Sequence, residues 1–152
     1  MENHMIRDIQ SSKDMEKCVD LYLSLNDETF IPSDRKYALT CMKDYLGTGS
    51  KLKILEEDGE IVGWLLMRKL KMPQYTEPVL QQIYYASILK GFKSARAIVS
   101  LHNEMFPVAK AMGIKRVIST GSHMDEKYVF AKILERAGWD RRGYMVTKLV
   151  EP

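Results

Sequence analysis

Apolar positions along the chain switch between strand-like and helical spacing, and each change of period marks an element. Met5 to Gln10 alternates as a first strand. Ser11 or Ser12 is placed to cap a helix whose buried face runs through Met15, Cys18, Val19 and Tyr22 to about Leu25. Asn26 to Pro32 interrupts the pattern. Ser33 is then placed to cap a second helix, with Tyr37, Cys41 and Tyr45 at four-residue spacing and Gly47 as its stop. Leu52 to Leu55 and Ile61 to Leu70 are strands joined by Glu57-Asp58-Gly59-Glu60, and Asp-Gly between two apolar runs is a strong hairpin signal.

Lys71 to Pro78, with two prolines, is a loop. Val79 to Leu89 is mostly apolar and aromatic, as a strand covered on both faces requires. A long helix follows, with Ala97, Ile98, Leu101, Met105, Val108, Ala109 and Met112 on one face and Gly113 at its end. Pro107 deprives the Asn103 carbonyl of its helical partner, so a kink is expected there. Lys115 to Thr120 is a further strand. A helix from about Asp125 places Phe130, Ile133, Leu134 and Ala137 inward and stops at Gly138, and Tyr144 to Val150 is a closing strand. The order β-α-α-β-β-β-α-β-α-β predicts an α/β (α+β) fold: a mixed central β-sheet flanked by about four helices, in one domain over 1–152.

Composition narrows the class. The chain is 45% hydrophobic and 28% charged, with a net charge of +3, which argues against nucleic acid as a partner. No apolar run approaches the ~20 residues of a membrane span, and MENHMIRD has no signal-peptide character, so the cytoplasm is the expected compartment. Cys18 and Cys41 lack metal-ligand spacing, and His102 with Glu104 lacks that of a zinc helix; no metal is expected.

Chemistry concentrates between the central strand and the long helix, at Lys90, Lys93 and Arg96. Cations there oppose the positive end of the helix dipole, unless an anion binds and joins the backbone N–H groups to the basic side chains. Ser94 is the expected N-cap of that helix. Gln81 and Gln82 interrupt an apolar strand, where buried amides must either line a cleft or satisfy neighbouring backbone.

Three stretches resemble the GCN5-related N-acetyltransferases (GNAT): the hairpin ILEEDGEIVGWLLM, the strand–loop–helix from Val79 to Gly113 ending AKAMGIKRV, and the tail FAKILERAGWDRRGYMVTKLV. The resemblance covers nearly the whole chain. It implies an acyl-CoA N-acyltransferase-like fold and an enzyme that moves an acetyl or other acyl group from acetyl-CoA, as co-substrate, to a small-molecule or peptide amine. It implies that the pantetheine arm lies along Ser87, Ile88 and Leu89, and that the pyrophosphate sits over Lys90, Gly91, Phe92, Lys93, Ser94, Ala95 and Arg96. The family's loop usually reads Arg or Gln, two residues, Gly, one residue, then Gly or Ala. Here KGFKSARA puts Lys93 where that glycine falls, or Arg96 if the frame is shifted.

Counting back from Gly138, the family's leaving-group tyrosine falls at Leu134, so the resemblance leaves Tyr128 and His123 as candidates to protonate a departing thiolate. The segment between the first two helices lines the acceptor side in this family. That places Asp27, Glu28 and Phe30 near the substrate, with Glu28 a candidate base alongside Asp27 and Glu77, and with Tyr84 or Tyr85 able to hold a water. The alternative is a non-catalytic GNAT-like module that binds coenzyme A or a protein. Oligomeric state is open between monomer and homodimer.

Overall fold

The computed structural model describes residues 4–26, 28, 29, 32–119 and 129–141. Five strands form one sheet in the order β1-β2-β3-β4-β5: β1 (His4–Asp8), β2 (Lys51–Glu57), β3 (Glu60–Leu70), β4 (Val79–Ser87) and β5 (Val117–Ser119). The first four are antiparallel to their neighbours, whereas β4 and β5 run parallel. The sheet is therefore mixed, as the element order predicts.

Helices cover both faces. Beneath α1 (Ser12–Ser24) and α2 (Arg35–Gly47), Met15, Cys18, Val19 and Met42 pack on Leu52, Ile54, Trp64, Leu66 and Ala86. On the other face, α3 (Gly91–Asn103) and α4 (Met105–Ala111) bring Ala97, Leu101, Met105 and Ala109 against Leu55, Leu65, Met67 and Leu80. Trp64 is a packing residue whose indole N–H donates to the Cys18 carbonyl at 2.9 Å. A smaller cluster adds α5 (Val129–Arg136), with Phe130 and Leu134 against Ile98. Ala137, expected to face inward, is exposed, because α5 has already ended one residue before it.

Local chemistry sets most boundaries. Ser11 caps α1 by accepting from the Asp14 amide at 3.1 Å. The cap of α2 is Asp34, which accepts from the Tyr37 amide at 3.1 Å, one residue beyond the expected Ser33. Gly47 is the last residue of α2 rather than its stop; the positive φ of +97° falls at Gly49. At the hairpin, Asp58 and Gly59 have φ of 52° and 83°, the pair of left-handed residues a tight two-residue turn needs. The long helix expected through Met112 is two helices broken at Glu104, within one residue of the carbonyl that Pro107 leaves without a partner. The expected strand Tyr144 to Val150 lies outside the described residues.

Candidate functional site

One irregularity organises the centre of the sheet. Leu66 pairs with Tyr84 but Met67 pairs with Gln82, so Ile83 is an extra residue in β4, a β-bulge. The bulge breaks the side-chain alternation: Ile83 and Tyr84 both turn toward α1 and α2, and Tyr85 turns to the opposite face. On the β5 side, pairing covers Leu80 to Gln82; among the described residues, none pairs with β4 from Ile83 to Ser87 on that side.

The strand leads directly into an uncapped helix. The Ile88 amide still donates to the Val62 carbonyl at 3.0 Å, and the Leu89 amide donates to the Ser87 hydroxyl at 3.1 Å. Lys90 then takes the N-cap position in extended conformation with no side-chain cap, and α3 starts at Gly91. The expected basic loop from Lys90 to Arg96 is therefore the first turns of a helix. Ser94 is not its N-cap; it lies in the first turn, three residues past the helix start. The glycine that allows the sharp entry is Gly91, with φ of +60°. Lys93 keeps a negative φ, so its side chain imposes no backbone strain where the resemblance expected glycine.

The N-cap residue Lys90 gives the first-turn amides of α3 no side-chain acceptor, and a helix start of that kind suits an anion. Around it, Lys90 is exposed, and Phe92 is 89% exposed. Lys93 and Arg96 turn away toward the edge of the sheet, where with His4, Met5, Ile6, Leu55 and Leu89 they line a cleft of about 230 Å³. There the Lys93 ammonium lies 3.3 Å from the Glu57 carboxylate. The three cations thus do not converge on one point.

On the face toward α1 and α2, Tyr84 meets Tyr22 and Tyr45 edge-on, with ring centroids 5.6 and 5.9 Å apart. Burial is the main cause that pushes the Tyr84 phenol up to about 12. Both Glu28 carboxylate oxygens close the turn before α2: one accepts from the Ser33 amide at 2.8 Å, the other from the Ser33 hydroxyl and from Asn26. Glu77 lies 3.6 Å from Lys115 in an exposed pair. Asp27, Phe30, His123 and Tyr128 lie outside the described residues.

On the opposite face, the structure reveals a buried polar chain that the spacing of the sequence did not single out. The His102 ring is fully buried against Tyr85, Phe130 and Trp139, and its Nδ1 donates to the Ile98 carbonyl at 2.8 Å. Its Nε2 faces the Ser119 hydroxyl at 3.3 Å, which in turn lies 3.2 Å from the Gln82 side-chain oxygen. Burial lowers the His102 pKa to about 4, so the ring is neutral. The signal was its place four residues after Ile98 on the buried face of α3. Tyr85 is also held neutral, since burial raises its pKa well above the ordinary phenol value. Leu134 is buried with Phe130 and Ile98.

No protein-family model and no curated protein matches the chain. Solved structures do match. An aminoglycoside 6'-N-acetyltransferase from Acinetobacter baumannii is 15% identical, with a TM-score of 0.72 over 98% of this chain and 100% of that one. A predicted acetyltransferase with acetyl-CoA from Clostridium acetobutylicum is 15% identical, with a TM-score of 0.70 over 98% and 96%. The aminoglycoside acetyltransferase AAC(6')-Iy, in complex with a coenzyme A bisubstrate analogue, is 14% identical, with a TM-score of 0.76 over 99% of each chain. The fold is thus the acyl-CoA N-acyltransferase fold of the GNAT proteins, as the resemblance implied.

Proposed function

We propose that the protein is an N-acetyltransferase that moves an acetyl group from acetyl-CoA to a primary amine. One observation carries the reading: β4, with its bulge at Ile83 and a stretch without a described partner on one side, leads within three residues to the uncapped helix start at Gly91. A thioester arm with an anionic pyrophosphate fits that arrangement, the arm along Ser87 to Leu89 and the phosphates on the α3 amides beside Lys90.

In the reaction, the neutral amine attacks the thioester carbonyl, the C–N bond forms, the C–S bond breaks and coenzyme A leaves as a thiolate. The amine's proton passes to a base, directly or through water. Glu28 and Asp27 are the proposed carboxylates on that side, with Phe30 and Tyr84 as the wall. Tyr84, held protonated, acts as a hydrogen-bonding group rather than a base. Tyr128 or His123 is the proposed donor to the thiolate, although a thiolate leaves with little assistance.

Isothermal titration with acetyl-CoA, followed by detection of released thiol across a panel of amines, tests this. Binding with turnover is expected, and no heat at millimolar acetyl-CoA would end the proposal. The packed Leu134 favours a second reading, a module that binds coenzyme A without turning it over. Binding with no turnover of any amine supports that reading instead.

A further inference from the structure

The face of the sheet under α2 holds a second set of polar groups that the transfer reaction, as derived above, leaves unused. Arg68 on β3 and Gln81 on β4 are register partners. Leu80 and Gln82 turn toward α3 and α4, so Gln81 turns the other way, to the side of Ile83 and Tyr84. Arg68 lies on that side too, its guanidinium carbon 5.9 Å from the centre of the Tyr45 ring. Stacking on Tyr45 engages the face of the guanidinium and leaves its edge donors. Among the described residues, the buried Arg68 Nε and the buried Gln81 Oε1 have no hydrogen-bond partner.

Orphaned buried polar atoms of this kind are rare, and each costs more than an ordinary hydrogen bond gains. Here a donor and an acceptor are orphaned on register partners, both partly buried residues, next to the Tyr45 and Tyr84 rings. The pair needs a ligand that presents an acceptor and a donor together. The site's donor is a planar cation, whose fork matches a carboxylate. The site's acceptor, the Gln81 amide oxygen, matches an ammonium. Arg68 would at the same time repel a polycation.

We infer that Arg68 and Gln81 recognise the amine acceptor, and that this acceptor is a small amine bearing a carboxylate, of amino-acid type: the carboxylate on the Arg68 guanidinium, the ammonium on Gln81 Oε1. The inference rests on the acetyltransferase reading for the reaction but not for the binding. Tyr84, brought onto this face by the bulge, lies three residues along β4 from Gln81, on the way to the strand end assigned to the thioester arm.

The test compares free amino acids with their carboxamides and with a polycationic aminoglycoside, in acetylation and in direct calorimetric titration. The carboxylate forms are expected to exceed the carboxamides in kcat/KM by about 10- to 100-fold, the range of one charge-assisted contact. Arg68→Gln should abolish that preference through KM for the acceptor, with KM for acetyl-CoA within about twofold. Arg68→Lys, which keeps the charge and loses the fork, should retain part of it. Thermal melts of both variants check that they fold. Equal or better turnover of the carboxamides or the aminoglycoside overturns the inference and leaves the acetyltransferase reading standing. If acetyl-CoA fails to bind, that reading falls, and heat from the amino acids that is lost in Arg68→Gln still establishes the site. No heat and no turnover with any carboxylate amine overturns it.

Discussion

Gly91 carries the sharpest local demand in the site. Its φ of +60° turns the three-residue connection after β4 into α3, and a side chain there meets no neighbour within 4 Å. The objection to any other residue is therefore backbone strain alone. Gly91→Ala should cost about 1–2 kcal/mol in urea unfolding, because an L-residue resists the left-handed region. Acetyl-CoA affinity should fall as well, since relaxation of that strain rotates the first-turn amides; unchanged affinity would separate the helix end from the binding site. His102 yields the second expectation at this scale. Its native pKa of about 4 lies below the ordinary 6.5, so the unfolded chain takes up the proton first. Its stabilising contribution is complete above pH 6.5 and is lost as pH falls toward 4, on the order of 3 kcal/mol in all. Urea midpoints at pH 7.5 and 4.5 check this, and the drop should shrink in His102→Gln. The role of Gly91 was not legible in the sequence, and that of His102 only as a place on the buried face of α3. A helical pattern does not disclose that a glycine inside KGFKSARA sits at positive φ, and a histidine's burial depends on three rings from other elements. The same holds for Arg68 and Gln81, whose pairing depends on a strand register that the bulge at Ile83 shifts.

Elements whose ends depend on nearest neighbours followed the pattern of the chain closely. The β2–β3 hairpin is the clearest, because Asp58 and Gly59 alone supply the two positive φ values its turn needs. Gly59→Ala should lose about 1 kcal/mol by thermal or urea unfolding, whereas Asp58→Gly, which relieves the single non-glycine residue at positive φ among the described residues, should be neutral or slightly stabilising. A loss of equal size in both would show that the turn adopts another form. The break between α3 and α4 was legible for the same reason, since Pro107 acts on a carbonyl four residues away. The start of α3 was not. Serine is a strong capping residue, and Ser94 looked like a boundary, but tertiary packing of Ala97, Ile98 and Leu101 extends the helix back to Gly91 without any side-chain cap. An element end that forgoes its own capping residue is what an anion-binding helix terminus requires.

The sheet divides the molecule into two packed layers, and Gly63 is a point where the sheet and α3 press together. It lies opposite Ser87 at the end of β4, and an added Cβ would stand 3.1 Å from the Ala86 carbonyl oxygen, 3.5 Å from the Ser87 side chain and 3.6 Å from Leu101 of α3. The tightest contact is backbone, so a rotamer change at Leu101 does not by itself make room for a larger side chain. Gly63→Val should destabilise by about 1–3 kcal/mol through overpacking, lowering the melting temperature by roughly 2–4 °C for each kcal/mol. Met42→Ala, in the opposite layer beneath α2, should cost a similar or larger amount by leaving a cavity, about 2–5 kcal/mol. The two variants differ in what they move. Gly63→Val pushes Ser87 and the α3 helix apart, so titrations below both melting temperatures should show weakened acetyl-CoA binding. Met42→Ala should leave it within about twofold of the parent. If both variants bind alike, the strand end and α3 do not form the acetyl-CoA site, and the affinity is set elsewhere in the molecule.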